Sequence, residues 1–185
     1  MGDMVIIGNN APRYIYTLNG MIKYKDVSLS TMWQGVGHRD WAPSGAYFWG
    51  SGAYAQVTVF NQHLDYWRGA DDPNPNPNAY YPNPYASPAG TIASFQAKTQ
   101  TTSDRYLQNA AYIRLKNLTV SYDLPVRLIS KFSLSKASIF FSGENLLTFT
   151  RLMKMLDPEQ VFAFQEGSKN YPLSKVYSIG LNVKF

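Results

Sequence analysis

The residues of this sequence that could act as bases or metal ligands are few and scattered. The two histidines, His38 and His63, are each followed two positions later by an aspartate, Asp40 and Asp65. An H-x-D pair supplies too few of the ligands that a zinc site needs, and the chain has no cysteine to complete one. We therefore interpret both pairs as hydrogen-bonding groups in loops and predict no metal site and no cofactor.

Four carboxylates raise the question of a glycosidase, which uses two such groups about 5 to 9 Å apart. Glu144 falls in a predicted strand, whereas Asp157, Glu159 and Glu166 fall in a loop, so no pattern fixes a pair. The sequence also has no G-x-S-x-G motif, no glycine-rich phosphate loop and no cysteine–histidine couple. We predict that the chain is not an enzyme.

Aromatic side chains in a long irregular segment are the best candidates for binding. Flat aromatic rings stack on the C–H faces of sugar rings, and Tyr and Trp are also enriched at protein interfaces. Three interpretations stay open: contact with a partner protein, contact with a ligand, and packing of the segment on itself. The candidates are Trp41, Tyr47, Trp49, Tyr66, Trp67, Tyr80, Tyr81 and Tyr85.

Composition indicates a surface that is poor in charge. Aromatic residues make up 15% of the chain and charged residues 16%, well below the roughly 25% charged residues of typical soluble domains. The net charge of +5 is spread along the chain without a basic block, which argues against nucleic-acid binding. No apolar run is long enough for a transmembrane helix, and the first residues do not have the pattern of a signal peptide.

Period-two alternation predicts five strands, each with one apolar and one mostly polar face. At the end of the chain the two faces are Tyr177, Ile179, Leu181, Val183 and Phe185 against Val176, Ser178, Gly180, Asn182 and Lys184. The strands are predicted near residues 13–24, 27–37, 110–122, 136–147 and 176–185. Between residues 110 and 122 the apolar phase shifts, which predicts a β-bulge near Asn117.

The connections alternate in length. Short turns are predicted near Lys25 and Arg127, and long loops at residues 38–109 and 150–172. This alternation is typical of an antiparallel up-and-down transmembrane β-barrel, in which five strands would be a segment of a larger barrel with long extracellular loops. The candidate lumen-facing residues are Arg114, Lys116, Glu144 and Asn182. For the three charged residues among them we expect ion pairing inside the barrel more than substrate recognition. The alternative is a secreted carbohydrate-binding β-sandwich, in which the apolar faces would form a buried core.

Several strings, in this order, resemble the carboxy-terminal end of SusC/RagA-type TonB-dependent outer-membrane proteins. The most specific are NAAYIRLKNLTVSYDLP, SGENLLTFT and the terminal GLNVKF, and HLDYW, NAYYPNPY and LDPE add to the resemblance. It extends through essentially all 185 residues. Since the resemblance is to the end of such proteins, we expect the signal peptide, the plug domain and the TonB-contacting part to lie outside this sequence.

The resemblance implies a barrel of about 22 strands with a plugged lumen in the outer membrane of a Gram-negative bacterium. It further implies import of oligosaccharides, or of peptides in some relatives, powered through TonB, with a SusD-like surface lipoprotein at the outer mouth. In such proteins the last strand is read by the barrel-assembly machinery. The assembly signal carried over to this sequence consists of Tyr177, Val183 and Phe185.

Overall fold

The chain divides into two compact units. The computed structural model describes residues 5–43, 48–49, 59–83, 102–132, 134–161 and 171–185, so the candidate residues Tyr47 and Tyr85 lie outside the described residues. We call the first unit the sheet unit; it contains residues 9–40, 109–158 and 172–185. The second, the loop unit, contains the described parts of residues 5–8, 41–108 and 159–171.

Five long strands form one antiparallel sheet. In chain order the strands are β1 (Arg13–Tyr24), β2 (Val27–His38), β3 (Asp40–Trp41), β4 (Gln108–Asn109), β5 (Tyr112–Asp123), β6 (Lys136–Thr150) and β7 (Val176–Lys184). The sheet has the order β1-β2-β5-β6-β7, so each long strand lies beside the next long strand along the chain. The predicted all-β, antiparallel, up-and-down arrangement is confirmed.

Both connections at one end of the sheet are short. Lys25 follows β1 directly and adopts a left-handed φ of 52°, which lets β2 start only two residues later. Between β5 and β6 the chain forms one helical turn, α1 (Val126–Ile129), continued by a 3-10 turn (Ser130–Phe132). A second 3-10 turn, Asn61–Leu64, belongs to the loop unit. Within the described residues, no helix is long and apolar enough to cross a membrane.

The register of the sheet places most of the apolar residues of the five long strands on one face. Residues directly opposite each other on neighbouring strands share a face, so each row of partners can be followed across the sheet. The apolar rows are Tyr24, Val27, Tyr122, Ile139 and Leu181; Ile22, Leu29, Val120, Phe141 and Ile179; Gly20, Thr31, Leu118, Gly143 and Tyr177; and Leu18, Trp33, Leu115 and Leu147.

The other face carries most of the hydroxyl, amide and charged groups. Its rows are Lys23, Ser28, Ser121, Phe140 and Gly180; Met21, Ser30, Thr119, Ser142 and Ser178; Asn19, Met32, Asn117, Glu144 and Val176; and Thr17, Gln34, Arg114 and Thr148. We call these two surfaces the apolar face and the polar face. The sheet therefore separates two different environments.

Side chains of the apolar face are exposed where a β-sandwich would bury them. Leu18 is 65% exposed, Ile22 68% and Ile179 79%. Aliphatic side chains at this exposure lose the hydrophobic stabilisation that a second sheet would give them. The pattern favours a lipid-facing surface over the core of a sandwich.

The predicted bulge lies at Lys116, one residue from the position that the sequence indicated. Trp33 is opposite Leu115 and Met32 is opposite Asn117, so Lys116 is the extra residue of β5. The register between β5 and β6 shifts at the same place, and Asn145 in β6 has a left-handed φ of 54°. This irregularity breaks the two-residue period, so the strand predicted at 136–147 continues unrecognised to Thr150.

A tyrosine of β1 covers a glycine of β2. A Cβ atom on Gly35 of β2 would collide with the ring of Tyr16 and with the carbonyl oxygen of Tyr112. The Tyr16 hydroxyl crosses above Gly35 and donates a hydrogen bond to that carbonyl at 3.3 Å. Only glycine leaves room for this ring, which joins β1 to β5 across β2.

Candidate functional site

The loop unit is built around a cluster of aromatic rings centred on Phe48. The Phe48 side chain is fully buried, and its ring lies edge-on to Trp49 at 4.8 Å and to Trp41 at 6.0 Å between centroids. Tyr81 adds a tilted contact at 5.6 Å and Tyr106 an edge contact at 6.4 Å. Such edge-to-face pairs contribute roughly 0.5–1.5 kcal/mol each beyond the area they bury. This aromatic core organises a segment that has no regular alternation in its sequence.

His63 is part of that core and not a free ligand. Its Nδ1 accepts a hydrogen bond from the backbone N–H of Phe60 at 3.0 Å, and its Nε2 lies 3.0 Å from the carbonyl oxygen of Phe48. An accepting Nδ1 requires the tautomer that carries its proton on Nε2, so Nε2 donates to Phe48. His63 therefore fixes two backbone segments relative to each other.

The structure divides the candidate aromatic residues into two groups. Trp41, Trp49 and Tyr81 are buried, so for these three the loop packs on itself. Trp67 is 45% exposed, and Tyr66 and Tyr80 are partly exposed. Contact with a ligand or partner remains a prediction for the exposed group.

Tyr80 and Tyr81 keep their hydroxyl protons over the ordinary pH range. Burial raises the pKa of both phenols above the usual value, most strongly that of Tyr81. The Tyr80 hydroxyl accepts a hydrogen bond from the Gln108 side chain at 2.9 Å, which leaves its proton available for donation. The Tyr80 phenol can therefore donate as a neutral group, whereas the Tyr81 hydroxyl is buried and has no hydrogen-bond partner among the described residues.

Residues 65–81 form a compact excursion held by one carboxylate. Asp65 accepts hydrogen bonds from the Asn76 side-chain amide at 3.0 Å and from the Tyr80 backbone N–H at 3.1 Å. The backbones of Arg68 and Asn76 exchange a pair of hydrogen bonds at 3.1 and 3.3 Å. The proline-rich stretch between them is therefore closed at its base, without a helix or a long strand.

An open concavity of about 520 Å³ lies on this excursion. It is lined by Tyr66, Arg68, Asp72, Asn74 and Pro75. The Arg68 guanidinium lies over the Tyr66 ring at 4.9 Å, which is a cation–π distance. The concavity thus combines an aromatic ring, a cation and a carboxylate in one place.

The polar face of the sheet carries a buried ion pair. Arg114 donates to Asp157 at 2.9 Å and to the Thr148 hydroxyl at 2.8 Å, and the Arg114 and Asp157 side chains are 4% and 6% exposed. Glu144 and Asn182 lie exposed on the same face, and Lys116 lies in the bulge. Arg114 therefore has a structural partner in the connection that follows β6.

Several residues of these sites carried no recognisable signal in the sequence. Phe48 and Tyr106 have no period to place them inside a core, and Arg68 follows a tryptophan with no motif around it. Asp157 is distant from Arg114 in the chain, so only the fold brings the two together. Among the residues that the structure describes, no group of three or more His, Cys, Asp or Glu is placed to hold a metal ion.

Comparison with known proteins gives matches along nearly the whole chain, although no protein-family model matches. TonB-dependent receptor P3 of Formosa agariphila is 26% identical over 193 aligned residues, which cover 99% of this chain and 17% of the receptor. TonB-dependent receptor P26 of the same organism is 23% identical and is covered to 18%. The chain is similar to TonB-dependent receptors. It spans less than one fifth of the length of these relatives.

Solved structures show the same resemblance in three dimensions. The RagAB peptide importer in its open-open state superposes on 97% of the chain with a TM-score of 0.68 and 25% identity, over 18% of that importer chain. A structure of the RagAB peptide transporter gives a TM-score of 0.63 and 26% identity over 88% of this chain and 16% of the other. The resemblance to SusC/RagA-type TonB-dependent proteins, first recognised in the sequence, is thereby confirmed.

Proposed function

We propose that this chain forms the carboxy-terminal part of the barrel of a TonB-dependent importer in the outer membrane of a Gram-negative bacterium. The observation that carries the proposal is the continuous sheet with one exposed apolar face and one polar face, in a chain similar to TonB-dependent receptors along 99% of its length. In a barrel the apolar face contacts lipid and the polar face lines the lumen. The five long strands are then barrel wall.

The dimensions of β1 agree with a membrane crossing. Tyr14 and Tyr24 lie near its two ends, and both are on the apolar face. Their separation corresponds to about 33 Å along the strand, or about 25 Å of height at a tilt of about 40°, the height of the apolar band in such barrels. The two tyrosines would sit at the two membrane interfaces.

The short connections, at Lys25 and at α1, are assigned to the periplasmic side, and the loop unit and the connection after β6 to the outside. In this orientation Arg114, Glu144 and Asn182 face the lumen together with Lys116. The last strand presents Tyr177 and Val183 on the lipid side, and Phe185, 87% exposed, continues that alternation as the assembly signal. The barrel-assembly machinery would read these three residues.

The substrate class follows from the relatives and stays broad. The resemblance to SusC/RagA-type proteins favours glycans, and the solved neighbours are described as peptide importers or transporters. In both cases a SusD-like surface lipoprotein would meet the outer loops, and TonB would act through parts of the receptor outside this sequence. No catalytic role is assigned to this chain.

The first test concerns the receptor that carries this chain. Purified from outer membranes, it should require detergent and should migrate faster on a gel unheated than after boiling, as closed barrels do. Uptake of labelled oligosaccharide and peptide mixtures should cease in a strain without TonB. A receptor that is soluble without detergent, or uptake that persists without TonB, would contradict the proposal.

The second test concerns the partner. An affinity-tagged receptor should co-purify with a SusD-like lipoprotein, and the ligand classes that deplete from the medium identify the substrate. Recovery of the receptor with no lipoprotein under conditions where uptake is active would remove the partner from the proposal.

A further inference from the structure

The concavity on the excursion at residues 65–81 presents an arginine whose outer edge is available. Arg68 uses its Nε to donate to the backbone carbonyl of Asn74, and its guanidinium is stacked on Tyr66. Among the described residues, neither terminal amino group of Arg68 donates a hydrogen bond or joins a salt bridge. The fork of a guanidinium matches the two oxygens of a carboxylate, which it binds with two parallel hydrogen bonds.

The other groups of the concavity suit the neighbours of such a carboxylate. Asp72 uses one carboxylate oxygen to accept from the Asn74 backbone N–H at 2.8 Å and keeps acceptor capacity for a second donor. The Asn74 side chain adds an amide at the same wall. A ligand with N–H or O–H groups beside its carboxylate can therefore satisfy Arg68 and Asp72 together.

The arrangement is held before any ligand arrives. Arg68 and Asn76 are joined by two backbone hydrogen bonds, and Asp65 fixes the Asn76 side chain. Stacking on Tyr66 restricts the guanidinium further. Because these groups are already ordered, binding costs little additional conformational entropy. A volume of about 520 Å³ fits one sugar ring or one to two amino-acid residues.

We propose that this concavity binds a carboxylate group flanked by hydrogen-bond donors. Two substrates of the proposed importer present that chemistry: the free carboxy-terminus of a peptide and a uronic acid residue of a glycan. The inference rests on the proposed function for the source of the ligand, and the binding chemistry itself comes from Arg68, Tyr66, Asp72 and Asn74.

The test measures binding of matched probes to the detergent-purified receptor by calorimetry. One pair is N-acetyl-glycyl-glycine and its carboxy-terminal amide; the other is digalacturonate and its methyl ester. The acid of at least one pair should bind about tenfold more tightly than its neutral derivative, since a charge-assisted bidentate contact is lost in the derivative. The pair that shows the difference identifies the source of the carboxylate.

Variants assign the difference to this site. Arg68→Gln should abolish the preference for the acid, and Arg68→Lys should lose most of it because an ammonium cannot form the fork. Asp72→Asn should weaken binding of the acid and of its neutral derivative alike, because it removes the acceptor for the ligand's N–H or O–H group, and it should leave the preference for the acid in place. Arg127→Gln removes the same charge from an exposed turn and should change nothing.

The two ways of failing are distinct. Equal affinities for acid and neutral derivative in both pairs, or an acid preference that survives Arg68→Gln, would overturn the inference. Arg68→Lys keeps the charge and Asp72→Asn keeps the preference for the acid, so these two variants distinguish loss of the guanidinium fork from a distorted loop. Either result would leave TonB-dependent uptake unaffected, so the carboxylate site can be refuted while the proposed importer function stands.

Discussion

Asp157 accepts hydrogen bonds from two separate parts of the chain. One of its carboxylate oxygens accepts from Arg114 at 2.9 Å and from the backbone N–H of Leu173 at 3.2 Å. A buried charge is tolerated only when it is paired and hydrogen-bonded, and Arg114 meets that condition through Asp157 and Thr148. The pair therefore fixes the connection after β6 against the beginning of β5.

Removing one residue of the Arg114–Asp157 pair should lower the free energy of unfolding more than replacing both with apolar residues. Asp157→Ala leaves the Arg114 charge buried without its carboxylate and should lower the free energy of unfolding by about 3–5 kcal/mol, whereas Arg114→Met with Asp157→Leu should recover much of that loss. Urea unfolding of the receptor in detergent, with exposed Asp71→Ala as control, measures both. Equal losses in the single and double variants would show that charge burial is not the dominant effect.

Replacing the buried Trp41 should affect stability, whereas replacing the exposed Trp67 should affect binding. Trp41→Ala removes a ring from the aromatic core and should destabilise the loop unit by about 3–5 kcal/mol. Trp67→Ala removes a 45% exposed ring, so stability should hardly change while binding of the partner lipoprotein or substrate weakens. Thermal unfolding followed by near-ultraviolet circular dichroism, together with co-purification, separates the effects. A stable Trp41→Ala protein would show that the Trp41 ring does not support the aromatic core.

Among the elements, those with a clean two-residue period were predictable from the sequence. A period of two fixes which side chains of a strand share a face. The alternation alone therefore predicts the two faces of β1, from Tyr14 to Tyr24, and of β7, from Tyr177 to Phe185. The end of β6 was not predictable, because Asn145 interrupts the period. The loop unit was not predictable either, since its core is made by contacts between distant residues such as Phe48 and Tyr106.

The face on which a strand residue lies, and its depth in the membrane, should decide how much folding free energy is lost when an arginine replaces it. Leu18 lies on the apolar face about midway between Tyr14 and Tyr24, so Leu18→Arg should cost about 2–4 kcal/mol of folding free energy. Leu181 lies in the same row as Tyr24, near a membrane interface, so Leu181→Arg should cost only about 0–1 kcal/mol. Asn19→Arg points to the polar face and should be nearly neutral. Folding yield into vesicles measures the series. Equal damage from Leu18→Arg and Asn19→Arg would mean that the faces are assigned the wrong way round.

At the scale of the whole chain, the sheet is incomplete as a structure in water. Among the described strands, β1 and β7 each have a neighbour on one side only, and the apolar face between them is exposed. Open edges and exposed apolar surface promote association, and within a bilayer only closure of the barrel satisfies every backbone group. The stable form requires further strands.

These 185 residues expressed alone should therefore not give a folded monomer in detergent-free buffer. We expect association through the edges and the apolar face, measured by size-exclusion chromatography with light scattering. Detergent should reduce the association by covering the apolar face. A monodisperse folded monomer without detergent would contradict the barrel and revive the sandwich.

The hydrogen bond from Leu173 to Asp157 allows the segment between these two residues to change in sequence and length during evolution. It ties the two ends of the connection between β6 and β7 to the same buried carboxylate, so whatever lies between them starts and finishes at a fixed point of the barrel wall. Lengthening a closed loop costs only about 0.6 kcal/mol for each doubling. Natural selection can thus replace the intervening segment, and with it the chemistry offered to the outside, while the five strands keep their register.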